Sequence, residues 1–267
     1  LLLSWVGMFL VGTSAAALQS DWKGDPTIVE ARLLSAVNGT GDLTTLPLAV
    51  EFRLAPGWKI YWRTPGEAGL PPKIDFSGSV SPNLTATIRW PVPKRFNVFG
   101  FDNFGYESQA ILPLDLTGHI VGTPAQISAR LEALACSEIC VPVKANLDLF
   151  LPDGAATASS HAQIIARSVS MVPRVARVGT RAATGPNLSI VAADISGNDL
   201  MLQLAKGAPP IDDIFVEGFD NFAFKAPVPS KSLYRIPISA AEGMVFDGGP
   251  ALLTVLAGSE MAEFHLT

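Results

Sequence analysis

The feature that most constrains this chain is how short its apolar runs are after residue 25, and how regularly Gly, Pro, Asn or Asp interrupts them. In LPLAVEFRLAPGWKIYWRTPG, the side chains of Leu48, Val50, Phe52 and Leu54 recur at every second position. That is the period of an extended strand with one face turned inward. Gly57 and Pro65-Gly66 break the pattern. Further strands are predicted in LTATIRWPV, AILPLDLTGHI, AQISARLEALAC and ANLDLFL. About seven strands between residues 25 and 152 is the spacing of an antiparallel sandwich. The 23 Gly and 21 Pro supply turns and leave little room for long helices.

Across 267 residues with 48% hydrophobic content there is material for two such units. The texture changes after Pro152. DGAATASSHAQIIARSVSMVPRV opens with small polar residues, and Ser160 with Gln163 has the spacing of a capping box. An apolar stripe follows through Ile164, Ile165, Val169 and Val172, and Pro173 ends it. Residues 187–267 then return to strand-like segments, NLSIVAADI, DLMLQLAK, DIFVEGF, SLYRIPISA and ALLTVLAG. The predicted class is all-β, two β-sandwich domains at 20–152 and 187–267 joined by a helix-containing linker at 153–186. An internal repeat supports the pairing: VFGFDNFGY at 98–106 and VEGFDNFAF at 216–224 share six residues of nine. GFDNF also reads as a turn common in β-proteins, with Asp and Asn for the turn and Phe for the core.

The first 17 residues, LLLSWVGMFLVGTSAAA, form an uncharged apolar run ending at Ala15-x-Ala17, the form of a signal peptide without its basic n-region. The run is shorter than the ~20 residues that span a bilayer. Export from the cytosol is therefore expected, and there a disulfide can persist. The formal charge of −5 and the scattered Lys and Arg argue against nucleic acid as a partner.

Cys136 and Cys140, in ALACSEICVPV, are the chain's only cysteines. Residues four apart on an extended strand lie ~13 Å from each other, so a bond between them requires Ser137-Glu138-Ile139 to turn the chain back. Closing so small a ring stabilises by only ~2 kcal/mol in the chain-entropy model. A redox pair is the favoured reading, with a non-catalytic interaction module held by a structural disulfide, or a Cu(I)-handling protein, as alternatives. No cofactor is called for. His119, His161 and His265 are scattered singly, no His or Met accompanies the cysteines within 130–145, and no GxSxG pattern occurs.

GWKIYWRTPGEAGLPPKIDF, RWPVPKRFNVFGFDNFGYES and ACSEICVPV together resemble the N-terminal periplasmic domain of the DsbD/ScsB class of thiol:disulfide interchange proteins, the ScsB branch above all. The resemblance implies an immunoglobulin-like fold and a protein-disulfide reductase component. Such a domain passes electrons from a membrane-embedded reductase domain to oxidised periplasmic thiol proteins, whether disulfide isomerase-like, peroxidase or cytochrome-maturation factors. Cys140, before Val141-Pro142, matches the attacking cysteine and Cys136 the resolving one. Phe104 matches the aromatic cap residue over the disulfide, with Asp102, Asn103 and Tyr106 counted in the same cap. The spacing of three residues between the cysteines differs from the five of DsbD. The membrane helices and thioredoxin-like domain of the full-length family are absent from this sequence, which is read as a fragment of a protein tethered to the inner membrane.

Overall fold

The computed structural model describes residues 18–81, 83–179, 188–219, 221–231, 233–240, 244, 246 and 248–266. The expected signal peptide at 1–17 lies outside the described residues. The described part is nearly all β, as expected, with two layered bodies around separate cores.

The first body contains β1 (Lys23–Asp25), β2 (Val29–Ser35), β3 (Leu46–Leu54), β4 (Lys59–Gly66), β5 (Lys73–Asp75), β6 (Thr85–Ile88), β7 (Lys94–Val98), β8 (Phe101–Glu107), β9 (Gln109–Thr117), β10 (Ala125–Cys136) and β11 (Cys140–Leu151). One sheet runs β1-β2-β3-β9-β6 and the other β11-β10-β4-β8-β7, with β5 added beside β10. Leu48, Val50, Phe52 and Leu54 of β3 face the core together with Ile127, Leu131, Leu147 and Leu149 from the opposite sheet. Such alternating strands place one apolar row inside and one row out.

On β3 the middle of the outer row, Ala49 and Glu51, is buried as well. The helix α1 (Ala162–Ser170) lies over it, and Ile165 packs on Leu34 and Ala49. The expected capping box does not form: His161 is the N-cap residue and makes no side-chain cap hydrogen bond, and the serine bonded to it is Ser159. Ser159 Oγ accepts from His161 N at 3.0 Å and donates to Ser35 O, so the helix entry is tied to the β2 end. The preceding chain pairs Val37 with Ala158, which brings Ser159, not Ser160, to the His161 N–H just before the helix.

The second body contains β12 (Arg174–Arg177), β13 (Ile190–Ser196), β14 (Asp199–Leu204), β15 (Asp213–Glu217), β16 (Phe222–Phe224), β17 (Val228–Ser230), β18 (Leu233–Ala240), β19 (Ala251–Ala257) and β20 (Glu260–Leu266). Its sheets run β12-β20-β19-β15 and β13-β14-β18-β16, with β17 beside β18. Leu202, Ile236, Leu253, Val255 and Phe264 are fully buried between them. Strand β12, within the stretch expected to be linker, joins this body by parallel pairing with β20.

Candidate functional site: a cross-strand disulfide under an edge hairpin

The β10–β11 hairpin is paired continuously from Ala125↔Leu151 to Cys136↔Cys140. Its connection is the Ser137-Glu138-Ile139 loop, closed by Ser137 N–H donating to Ile139 O at 2.9 Å. The chain folds back where the two sulfurs need it to, and the Cys136–Cys140 disulfide bridges directly opposed residues whose Cα atoms are 4.1 Å apart. Twelve-residue strands already fix this register, so the bond adds little to hold the hairpin together.

The two sulfur-bearing residues differ sharply in exposure. Cys136 is 0% exposed. Cys140 is exposed, next to Ile139, which is 62% exposed. Cys136 packs with Tyr61 and Val98, and Phe96 and Leu134 border the same cluster.

Strand pairing explains which side chains reach the sulfur. Cys136 stands opposite Lys59 on β4, Tyr61 opposite Gly105 on β8, and Asn103 opposite Phe96 on β7. Side chains of directly paired residues share a face, and neighbours along a strand point to opposite faces. Cys136, Lys59, Tyr61, Asn103, Phe96 and Val98 therefore share one face of the sheet. Phe104, Asp102, Tyr106, Ile60 and Arg95 occupy the other.

This corrects the expected cap. Phe104 does not lie over the disulfide; its ring meets Phe215 of the second body edge-on at 5.0 Å and clusters with Trp62. Asp102 on the same face lies 3.4 Å from Lys225 Nζ. Tyr106 packs toward the first core and donates its hydroxyl to Pro91 O at 2.7 Å. Burial pushes its phenol well above the usual tyrosine value, against a small downward pull from the Arg63 charge. Asn103 is the one member of the expected cap on the cysteine face. It is fully buried, accepting from Ala68 N at 3.0 Å and donating to Phe101 O at 2.9 Å, so it ties the hairpin to the loop beyond β4.

The covering side chains that sequence reading missed are Tyr61, Phe96 and Val98. Their signal was present as parity: in RFNVFGFDNF, residues 96 and 98 fall on one face and 102 and 104 on the other once the two-residue turn at Phe99-Gly100 is placed. Positive φ at both turn residues, 55° and 86°, gives the tight hairpin its sense.

The charges nearby are mostly paired. Lys144 pairs with Glu132 at 3.0 Å. Lys94 holds Glu107 at 2.9 Å, and that hydrogen bond first, then the Lys94 charge, keeps the Glu107 carboxyl below its usual value. Lys59, opposite Cys136, donates to Gly57 O at 3.1 Å and sits 5.7 Å from the centre of the Phe96 ring. No group of three or more His, Cys, Asp or Glu among the described residues has the arrangement of a metal centre.

Residues 30–152 match the model of the family described as thiol:disulfide interchange protein DsbD, N-terminal. This segment is similar to that family. The first body thus carries the stretch similar to the N-terminal part of a thiol:disulfide interchange protein, and the chain's two cysteines lie in it, joined in a disulfide. The whole fold resembles the crystal structure of the N-terminal periplasmic domain of ScsB from Proteus mirabilis, at 22% identity and a TM-score of 0.71. That likeness covers 94% of this chain and 98% of the other, so it takes in the second body as well as the first. No curated protein matches the sequence. No helix among the described residues is long and apolar enough to cross a membrane.

Proposed function

We propose that the chain is a periplasmic protein-disulfide reductase component, an exported module that carries two electrons on the Cys136/Cys140 pair. It takes them from a membrane-embedded reductase domain and delivers them to oxidised periplasmic thiol proteins. Residues 20–152 form the redox domain, and 187–267 together with β12 form a second domain without cysteine. The observation that carries this reading is the inequality of the two sulfurs, one enclosed by Tyr61 and Val98 and the other open to a partner.

In delivery, the Cys140 thiolate attacks one sulfur of the partner's disulfide. That bond breaks, the partner's other sulfur leaves as a thiolate and takes a proton from water, and a mixed disulfide joins Cys140 to the partner. The Cys136 thiolate then attacks Cys140 Sγ, which re-forms the internal bond and releases the partner's second thiolate. The partner gains two electrons and the domain loses two. In recharging, a donor thiolate attacks Cys140 Sγ and Cys136 departs as the thiolate; the donor's second thiolate then attacks the donor sulfur of that mixed disulfide, closing the donor's own disulfide and releasing Cys140 as a thiolate. The covered sulfur is always the leaving or resolving one, and every intermolecular bond forms at Cys140.

A fixed clasp is the weaker alternative, since the bond spans residues that the ladder already pairs. A Cu(I) site has only the two thiols to offer and no His or Met beside them. The test is trapping. Cys136→Ser is expected to accumulate mixed disulfides with periplasmic proteins through Cys140, and Cys140→Ser to accumulate none. Equal trapping by both variants, or by neither, overturns the reading.

A further inference from the structure

Strands β7 and β8 extend the second sheet past the edge of the first core. One face of this overhang lies on Cys136. The opposite face, with the neighbouring β4 and the residue after it, rests on the second body through three separate attachments. Arg95 Nε and Nη2 donate to the Asp213 carboxylate, with Nη2–Oδ1 at 2.9 Å, and Arg95 also donates to Ile214 O and Phe224 O, each at 2.9 Å. Its guanidinium lies 4.8 Å from the centre of the Phe104 ring, and Phe104 stands edge-on to the fully buried Phe215.

The second attachment comes from an irregularity in β4. Its pairing to β8 jumps from Tyr61↔Gly105 to Gly66↔Asn103, so the residues between them bulge from the ladder. Arg63 and Thr64 on this bulge reach Glu217, and Arg63 also reaches Glu263. Burial works against the Arg63 charge, but the hydrogen bond and charge of Glu217, then those of Glu263, outweigh it and hold the guanidinium above its usual value. The third is Lys225, 2.7 Å from Glu67 and 3.4 Å from Asp102.

We propose that the second domain governs access to Cys136, with Asp213 and Phe215 as positioning residues that hold the base of the β7–β8 hairpin through Arg95 and Phe104. Inter-domain contacts within a chain ordinarily permit relative motion. Here several partly buried charged groups and a buried aromatic pair pin the hairpin from behind. With positions 95 and 104 fixed, the part of the cap left free to lift is its tip, residues 96–101, which carries Phe96 and Val98 on the sulfur side and ends in the exposed Phe99. A domain without a cysteine thus serves the reaction by keeping the resolving sulfur covered until a partner displaces the tip. This rests on the exchange reading above, and its test is independent of exchange.

The experiment uses the full chain in a Cys140→Ser background, which leaves Cys136 as the lone thiol. Iodoacetamide alkylates that thiol as its thiolate displaces iodide, so the native-state rate reports how often Cys136 is uncovered. Asp213→Asn combined with Phe215→Leu is expected to accelerate alkylation about tenfold, in proportion to the larger open population. Hydrogen exchange should speed at residues 96–101 in the same variant. Val98→Ala, which thins the cover directly, is expected to accelerate alkylation too. Leu202→Ala, a change in the second core that removes none of the groups touching Arg95 or Phe104, is expected to leave the rate unchanged. The proposal is overturned if Val98→Ala accelerates alkylation and the brace variant does not. It is also overturned if Leu202→Ala accelerates alkylation as much as the brace variant, or if no variant changes the rate. Trapping by Cys136→Ser alongside any of these failures leaves the exchange function standing and removes only the brace.

Discussion

The two copies of the repeated nonapeptide fold differently. In residues 98–106 the segment is a tight hairpin within one sheet, turning at Phe99-Gly100. In residues 216–224 it leaves β15 in one sheet and enters β16 in another. Its Phe219, Phe222 and Phe224 gather on Phe246, with ring centres 4.6 to 5.6 Å away. The substitutions within the repeat account for much of the contrast. At the position of Gly105 the second copy has Ala223. A Cβ on Gly105 would stand 2.0 Å from Ile60 O, so only glycine permits β8 to lie against β4. At the position of Phe99 the second copy has Glu217, which receives Arg63. One copy shields a sulfur, and the other supplies part of the brace behind the shield.

The sharpest way to break this comparison is to exchange the glycine and the alanine. Gly105→Ala meets backbone, which cannot move aside as a flexible side chain does. It should cost more than the ~1–3 kcal/mol of ordinary overpacking and peel the hairpin from Cys136, seen as faster hydrogen exchange throughout β7 and β8. Phe104→Ala comes next. Truncating a buried Phe costs about 3–5 kcal/mol, measured by urea unfolding, and it removes the contact to Phe215 while leaving Val98 over the sulfur.

Replacing both Cys136 and Cys140 by Ala should lower stability by only about 2 kcal/mol, because the ring closed by the bond is so small. Ala223→Gly, the reverse exchange, should cost about 0.5–1 kcal/mol and leave the first domain's hydrogen exchange unchanged.

The smallest effect is one of pH and is absent at neutrality. Burial raises the phenols of Tyr61 and, more strongly, Tyr106 above the ordinary value of 10.0. A group whose folded pKa is raised lends stability that is complete below its unfolded pKa and is lost as pH rises from there through the folded pKa. Urea midpoints should therefore hold steady to about pH 10 and then fall. Tyr106→Phe should flatten part of that fall.

The sandwich was legible because Leu48, Val50, Phe52 and Leu54 keep strict alternation, and the local return between the cysteines because four residues along a strand cannot otherwise be bridged. The helix was legible from its apolar stripe, though Ser159 and not Ser160 bonds at its entry, since the pairing of Val37 with Ala158 sets where the chain turns in. Phe104 was misplaced because sequence resemblance aligns residues and carries no record of which face a strand presents. That depends on register with β4 and β10, far away in the chain. The brace was illegible for a related reason: Arg63 and Arg95 read as scattered surface charges until β4 bulges and the second body meets them.

The central claim is that the disulfide is a working couple. Its reduction potential tests this most directly, by equilibrating the intact chain with a thioredoxin-type or glutathione redox buffer and counting free thiols. The account predicts a potential well above the roughly −300 mV below which structural disulfides of secreted proteins lie, with full reversibility. A potential below that value, with the bond untouched by such donors, would contradict it.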